Sequence, residues 1–326
     1  MMKVKKRMTA ITNKQAADFL RSHDNYLIIN HIRPDGDAVG CAAALCLGLR
    51  ALGKTAVVWK NPQTTERFFP YLSGLETTCE PEGACLVTVD TATEGMLPIN
   101  GQGFAGRVSL GIDHHPSNSG YAAATDVHPE CAACGEIILE ILKLLDVTIT
   151  PAIADALYVA ISTDTGCFQY SNVTPATLRA AADLKEAGAD TYPINKVMFG
   201  TKSIARLRIE ALLSTTVEFY AGGLIALCVL TNAQMDDLGA TEDDATDISG
   251  FPRDIEGVQI GIMIRDLREG GSKISLRTSG SYNATQICGR LGGGGHAAAA
   301  GATVSGSIDE AKAQILQAIR ESGVAL

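Results

Sequence analysis

The sequence predicts an α/β protein with an N-terminal parallel sheet and flanking helices, followed by a smaller C-terminal α/β domain. The chain has 326 residues, and one typical domain has only about 100–200. Its apolar content of 46% is sufficient for two hydrophobic cores. In the first half, short apolar runs alternate with helical patterns, as in a sheet with crossover helices. We therefore expect domains at residues 1–190 and 213–326, with a helical linker at residues 191–212.

The elements follow from this alternation in chain order. Apolar runs predict strands in the first domain at residues 26–30, 55–59, 85–89 and 107–112. Apolar spacing and capping residues predict helices at residues 38–52, 136–145, 152–162 and 175–188. In the second domain we expect two hairpin-like strand pairs, one of residues 215–220 with 223–230 and one of residues 258–266 with 273–278. We expect a closing helix at residues 308–322.

Composition limits the partners and the location. A formal net charge of −9 argues against a surface that binds long duplex DNA, because such surfaces need many basic residues. Residues 1–7 are basic, but the polar segment that follows them contains no export signal, and no apolar run is long enough to span a membrane. Nine cysteines without an export signal indicate reduced thiols. We expect a soluble cytoplasmic protein without a membrane partner, either a monomer or a homodimer.

Acidic and imidazole side chains follow three successive predicted strands and one helix. They are His31, Asp35 and Asp37, then Asp90, then Asp113, His114 and His115, and finally Asp164. Ligands of open α/β sheets bind beyond the carboxyl ends of the strands, so these side chains are expected to meet. A single aspartate after a strand is more often a helix cap or a turn former. It is the repetition at successive strand ends that predicts a site.

The residue types predict divalent metal ions. Carboxylate oxygens suit Mn²⁺ and Mg²⁺, and imidazole shifts the preference toward Mn²⁺ and its transition-metal neighbours. We expect two Mn²⁺ ions, with Mg²⁺ or Co²⁺ as alternatives. Asp90 is the candidate to bridge ions about 3.5–4 Å apart, the spacing used to activate water and neutralise a phosphate. The sequence therefore predicts a hydrolase of phosphate esters.

Four motifs in this order resemble those of the DHH phosphoesterases that carry a C-terminal DHHA1 domain. They are the stretch from His31 to Gly40, Asp90, Asp113-His114-His115, and Asp164-Thr165-Gly166. The resemblance covers nearly the whole chain. It implies that His31 and Asp35 hold one ion, that Asp37, His114 and Asp164 hold the other, and that Asp90 bridges them. It also implies that His115 faces the substrate phosphate. Because metal ligands are commonly oriented by neighbouring carboxylates, we expect Asp113 to orient the adjacent histidines instead of binding metal.

A glycine run in the second half is similar to the DHHA1 signature. Gly293, Gly294 and Gly295 precede His296 and a run of alanines. Alanine favours helix, so we expect these glycines to form a phosphate-binding cradle at a helix start. Arg277 and His296 are candidates to contact a substrate phosphate or base, although Arg277 also fits an ordinary surface strand residue. Basic residues outnumber acidic ones between Gly257 and Ala300, which predicts a positive patch formed by Arg265, Arg268, Lys273, Arg277 and Arg290.

The resemblance to the short two-domain members implies a substrate class. It implies degradation of very short RNA oligomers and removal of the 3′-phosphate from adenosine 3′,5′-bisphosphate. Hydrolysis of a cyclic dinucleotide or of its linear product is the alternative. Pyrophosphatase or polyphosphatase activity is less favoured, because the second half is glycine-rich and suits a nucleoside. A nucleotide sensor without turnover is a different class of function, and the complete set of metal-binding residues argues against it.

Overall fold

The computed structural model describes residues 9–246 and 248–324, so the basic residues 1–7 lie outside the described part. The chain forms two compact units, Met1–Thr201 and Lys202–Leu326. The division falls inside the predicted linker at residues 191–212. Helix α8, Ile204–Thr216, buries Ile209 and Leu213 in a core of the second unit.

The first unit is built on a seven-stranded sheet in which all paired strands are parallel. Its strands are β1 Thr9–Ala10, β2 Tyr26–Ile29, β3 Ala56–Trp59, β4 Glu76–Thr77, β5 Cys85–Val89, β6 Leu110–Asp113 and β7 Ala124–Val127. Their order across the sheet is β1-β7-β6-β5-β2-β3-β4. The chain therefore builds outward from β2 in one direction and then from β5 in the other, which makes the β2–β5 junction a topological switch point.

Helices cover this sheet. They are α1 Asn13–Ser22, α2 Gly36–Ala51, α3 Phe69–Leu72, α4 Cys134–Leu144, α5 Pro151–Asp164, α6 Pro175–Glu186 and α7 Thr191–Asn195. The expected starts of α5 and α6 are confirmed, since Thr150 and Thr174 cap helices whose first residue is proline. The predicted α/β class and the parallel sheet are confirmed as well. Strands β1, β4 and β7 were not predicted, because they are short or weakly apolar.

The main core of the first unit includes residues of the sheet and of α2, α4 and α5. Helix α2 is buried along most of its length and packs closely on α5. A Cβ at Gly40 would lie 2.2 Å from the carbonyl oxygen of Ala156, so only glycine allows the two backbones to approach this closely. Small residues therefore set the distance between these two helices.

The second unit is a six-stranded mixed sheet with helices. Its strands are β8 Glu218–Tyr220, β9 Ile225–Leu230, β10 Ile260–Asp266, β11 Ser272–Thr278, β12 Gly294–His296 and β13 Ala299–Val304, in the order β12-β13-β11-β10-β9-β8. Its further helices are α9 Asn232–Asp237, α10 Ala284–Gly289 and α11 Ile308–Glu321. The predicted antiparallel pairs β8–β9 and β10–β11 and the closing helix are confirmed, although residues 215–216 belong to α8.

The expectation of a helix after the glycine run is wrong. Ala297 and Ala298 form a turn, and Ala299 and Ala300 begin β13, which pairs with β11 on one side and with the glycine-rich β12 on the other. Two ladders of backbone hydrogen bonds outweigh the intrinsic helix preference of alanine, which is below about 1 kcal/mol per residue relative to most residue types. Gly294 and Gly295 therefore lie in one strand of a hairpin instead of in a cradle at a helix start.

Within the described residues, no helix is both long and apolar enough to cross a membrane.

Candidate metal centre

The predicted metal-binding residues converge at the carboxyl edge of the first unit's sheet. His31, Asp35 and Asp37 follow β2, Asp90 follows β5, and His114 follows β6. These three strands are neighbours, and β2 and β5 flank the topological switch point. A crevice opens at such a point because the connections leave in opposite directions. Strand order therefore places the cluster where open α/β sheets bind their ligands.

Helix packing adds Asp164, the last residue of α5. The first turn of α2 reaches the last turn of α5, since a Cβ at Gly36 would lie 2.3 Å from the hydroxyl oxygen of Thr163. Glycine between Asp35 and Asp37 thus permits the contact that brings their carboxylates to the end of α5. Asp35 also caps α2, because its Oδ1 accepts a hydrogen bond from the backbone N–H of Ala38 at 3.1 Å.

Three overlapping groups of side chains offer ligand atoms within 4.8 Å of one another. They are His31 with Asp35 and Asp90, Asp37 with His114 and Asp164, and Asp90 with His114 and His115. Asp90 turns one oxygen to each side: Oδ2 lies 3.6 Å from His31 Nε2, and Oδ1 lies 3.5 Å from His114 Nε2. The first two groups are the two expected ligand sets, and Asp90 lies between them.

Backbone carbonyls define the tautomers of two histidines. His31 Nδ1 lies 2.7 Å from the carbonyl oxygen of Ile32, and His114 Nδ1 lies 3.3 Å from that of Cys131. A carbonyl oxygen only accepts, so each Nδ1 carries the hydrogen. The neutral ring then has its lone pair on Nε2, which is the form that binds a cation. In both histidines this Nε2 is the atom that faces the carboxylates.

Asp37 is fully buried and is held by the start of α4. Its Oδ2 accepts a hydrogen bond from the N–H of Cys134 at 2.6 Å, and its Oδ1 accepts one from the N–H of Gly135 at 2.9 Å. Unpaired N–H groups at a helix start stabilise an anion. Burial nevertheless raises the pKa of the Asp37 carboxyl well above its usual range, and the charges of Asp90 and Asp35 raise it further.

The third motif has a different role for each residue. Asp113 belongs to none of the three groups, and its Oδ1 accepts hydrogen bonds from the backbone of His114 at 2.9 Å and from His115 Nδ1 at 2.8 Å. Burial lowers the pKa of His115, but the bond to Asp113 and the charges of Asp90 and Asp164 more than offset this effect and raise it to about 9. Asp113 thus orients His115 so that its Nε2 faces away from the carboxylate.

Asn118 was not predicted. Its Nδ2 donates to Asp113 Oδ2 at 2.6 Å, and its Oδ1 accepts from the N–H of Gly120 at 2.7 Å. Asn118 therefore fixes the carboxylate that fixes His115. Asparagine three residues after His115 is an ordinary turn residue in the sequence, so only the contact identifies its role.

Backbone strain occurs at the centre of the cluster. Asp90 has φ of +50°, a left-handed conformation that non-glycine residues seldom adopt. Such conformations cost about 1–3 kcal/mol and persist where the surrounding structure enforces them, often at functional sites. Asp90 is 2% exposed, and its Oδ1 accepts no hydrogen bond within the described residues.

These residues fit a pair of divalent cations. Four carboxylates from distant parts of the chain surround two imidazoles. The pKa of Asp37 is raised by burial first and then by the negative charges of Asp90 and Asp35, a repulsion that a cation would relieve. A buried carboxylate oxygen without a hydrogen bond, as in Asp90, is costly unless it is neutralised. The donor set of carboxylate and imidazole suits divalent metal ions.

In the second unit, strand register aligns the other predicted residues. Arg277 of β11 lies opposite Ala299 of β13, which in turn lies opposite His296 of β12. Directly opposed residues share a sheet face, so Arg277 and His296 are on one face with a small side chain between them. The guanidinium is also anchored, because Arg277 Nη2 donates to the Ser249 hydroxyl at 2.9 Å.

The expected positive patch is largely neutralised. Arg265 pairs with Glu242 at 3.0 Å, Arg268 with Asp236 at 2.6 Å, and Arg290 with Glu321 at 3.4 Å. For these three arginines the prediction of a positive patch is wrong. The prediction counted only the charges between Gly257 and Ala300, and the acidic partners of these arginines lie outside that segment.

Carboxylates and imidazoles meet around Asp90 at the switch point of a parallel sheet, and the second unit aligns an arginine with a histidine. This is the arrangement of a metal-dependent hydrolase of phosphoester bonds. Residues 25–161 match the DHH family, N-terminal domain, and residues 223–322 match the DHHA1 domain. The chain belongs to the DHH family, in the group with a DHHA1 domain.

Known relatives are similar over most of the chain. The bifunctional oligoribonuclease and PAP phosphatase NrnA of Thermus thermophilus is 36% identical over 90% of this chain and 89% of that protein. The cyclic-di-AMP phosphodiesterase GdpP of Geobacillus thermodenitrificans is 26% identical over 93% of this chain and 48% of that protein. A crystal structure of an exopolyphosphatase-related protein from Bacteroides fragilis superposes with a TM-score of 0.84 at 22% identity, covering 95% of each chain, and shows the same fold.

Proposed function

We propose that this protein is a two-metal-ion phosphoesterase that degrades very short RNA oligomers and removes the 3′-phosphate from adenosine 3′,5′-bisphosphate. The observation that carries the proposal is the position of Asp90, whose two oxygens face two separate groups of ligand atoms. The substrate class is supported by the Thermus thermophilus relative, which is named for both activities.

The proposed ligand sets are His31 and Asp35 for one ion, Asp37, His114 and Asp164 for the other, and Asp90 for both. Bound there, two ions would supply charge neutralisation for the phosphate and acidity for a water molecule. We expect Mn²⁺, because each set combines an imidazole with carboxylates, with Mg²⁺ or Co²⁺ as alternatives.

The chain's own groups orient and stabilise the substrate. His115, held by Asp113 and Asn118, presents Nε2 to the phosphate, where it donates a hydrogen bond or gives a proton to the leaving oxygen. In the second unit, Arg277 and His296 bind a phosphate or the nucleoside, and Gly293, Gly294 and Gly295 allow the backbone to approach it. Residues 1–190 would thus be catalytic and residues 213–326 substrate-binding, with 191–212 connecting them.

A second candidate is hydrolysis of a cyclic dinucleotide or of its linear product. The similarity to the cyclic-di-AMP phosphodiesterase favours it, since that relative aligns with 93% of this chain. The cytoplasm is our proposed location, because all nine cysteines are free thiols, as in proteins of a reducing compartment.

A substrate panel tests the proposal and ranks the candidates. The purified chain would be incubated with Mn²⁺ and, separately, very short RNAs, adenosine 3′,5′-bisphosphate, a cyclic dinucleotide, its linear product and pyrophosphate. We expect release of mononucleotide from the RNAs and of phosphate from the bisphosphate, with both activities abolished by a chelator. Turnover that persists in the chelator, or in the Asp90→Ala variant, would refute the two-metal site. Binding without any turnover would indicate a nucleotide sensor.

A further inference from the structure

The loop after Asp164 contains three consecutive residues in the left-handed region. Gly166, Cys167 and Phe168 have φ of +55°, +57° and +64°. Residues other than glycine rarely adopt this backbone conformation, and two such residues in succession, Cys167 and Phe168, indicate a strained segment. Strain of this kind persists where the surroundings enforce it and is concentrated at ligand-binding sites.

Contacts on the inner side of the loop enforce this conformation. The ring of Phe168 packs against that of Tyr158 with centroids 5.8 Å apart. Thr165 Oγ1 accepts a hydrogen bond from the N–H of Phe168 at 3.2 Å. Asn172 Nδ2 donates to the carbonyl oxygen of Asp164 at 3.1 Å, so the end of the loop is tied to the residue that borders the metal centre. The loop is therefore a fixed part of the rim beside Asp164.

This fixed loop presents an aromatic ring. Tyr170 lies over Gly166, since a Cβ built on Gly166 would lie 2.3 Å from Tyr170 Cζ. Only glycine leaves room for the ring at that place, and the side chain is nevertheless 49% exposed. The ring is thus supported on one side and exposed to solvent on the other, on the loop that directly follows Asp164.

We propose that Tyr170 stacks against a base of the nucleotide substrate while the adjacent phosphate occupies the metal centre. The inference rests on the proposed function and adds a base-binding residue in the first unit to the set expected in the second. Every base has a π face, so stacking on an aromatic side chain provides affinity without selecting a sequence. That property suits an enzyme that acts on short oligomers of any sequence.

Steady-state kinetics of a dinucleotide and of its abasic analogue test the stacking. For Tyr170→Ala we expect KM of the dinucleotide to rise about 5- to 150-fold, equivalent to about 1–3 kcal/mol at 1.4 kcal/mol per tenfold change. KM of the abasic analogue should stay unchanged, and Tyr170→Phe should retain most of the wild-type affinity. Tyr192→Ala is the matched control, because Tyr192 is 74% exposed on α7 and should affect neither substrate.

Calorimetric binding of the same two ligands separates this inference from the proposed function. Wild-type protein that binds the dinucleotide more tightly than the abasic analogue, with the difference lost in Tyr170→Ala, would support stacking even if no turnover occurred. An equal effect of Tyr170→Ala on both ligands, or a tyrosine-to-phenylalanine change as harmful as the change to alanine, would overturn it. Wild-type protein that binds neither ligand would contradict both the inference and the proposed function.

Discussion

The candidate metal centre of the first unit and the glycine hairpin of the second unit are built in opposite ways. The glycine hairpin consists of β12 and β13 with their connection. At the metal centre, Asp37 and Asp90 are buried carboxylates with exposures of 0% and 2%, fixed by helix ends and by a strained backbone. In the hairpin, Gly294, Gly295 and His296 are exposed, and the position of the strand depends on backbone pairing.

The difference shows how each region achieves its arrangement. The centre depends on the identity of charged side chains, which must meet from distant parts of the chain. The hairpin depends on the absence of side chains, because a Cβ at Gly293 would lie 2.1 Å from the carbonyl oxygen of Gly301. We therefore expect changes at the centre to affect catalysis and metal binding, and changes in the hairpin to affect substrate affinity.

Replacement of Asp90 by asparagine should have the largest effect. The change removes the charge that faces both ligand sets, so we expect kcat to fall by about 10³-fold and metal analysis to find fewer than two Mn²⁺ ions per chain. Asp126→Asn is the matched control: Asp126 is fully buried in β7 of the same sheet, and burial raises its pKa to about 6. Equal losses in both variants would contradict a special role of Asp90.

Replacement of Asn118 by alanine should have the next largest effect. Without the hydrogen bond to Asp113 the orientation of His115 is less well fixed, and we expect kcat to fall about 10- to 100-fold with KM nearly unchanged. Asn100→Ala is the control, because Asn100 is an exposed asparagine whose Nδ2 donates to the carbonyl oxygen of Lys60 at 2.9 Å. Thermal unfolding would be measured in parallel. If the Tm of Asn118→Ala fell so far that the variant was partly unfolded at the assay temperature, the loss of kcat would indicate a purely structural role.

A side chain at Gly293 should weaken substrate binding without affecting the metals. The Cβ of Gly293→Ala would force β12 away from β13, and we expect KM for a nucleotide to rise about 10-fold, equivalent to about 1.4 kcal/mol. Gly289→Ala is the control, since Gly289 lies in α10 outside the proposed binding set and its Cβ would have no heavy atom within 4 Å. If Mn²⁺ affinity fell together with substrate affinity, the two regions would not be separable in the way proposed here.

Replacement of Arg277 by lysine should have the smallest effect. Lysine keeps the charge but loses the planar fork that bonds Ser249, so we expect KM to rise about 5-fold and kcat to stay the same. Arg268→Lys is the control, because Arg268 forms an exposed ion pair with Asp236, a kind of contact that contributes little. An effect of Arg277→Lys on kcat alone would argue against a role in binding.

Sequence alone determined the fold class and predicted that the candidate metal-binding residues lie together. Apolar strands and capped helices can be predicted from the local periodicity of the sequence. Residues that directly follow parallel strands must lie at one edge of the sheet. The expectation that His31, Asp90 and His114 lie together therefore follows from their places in the sequence.

Only the tertiary structure decided the rest. The end of the alanine run, Ala299 and Ala300, begins β13 instead of a helix, because pairing on both sides outweighed a weak helix preference. Asn118 and Tyr170 acquired their positions from contacts with Asp113 and Gly166, and neither residue type signals such a contact in a sequence. Arg265, Arg268 and Arg290 do not form the expected positive patch, because they pair with acidic residues elsewhere in the chain. Periodicity is a local property, whereas which side chains meet depends on long-range packing.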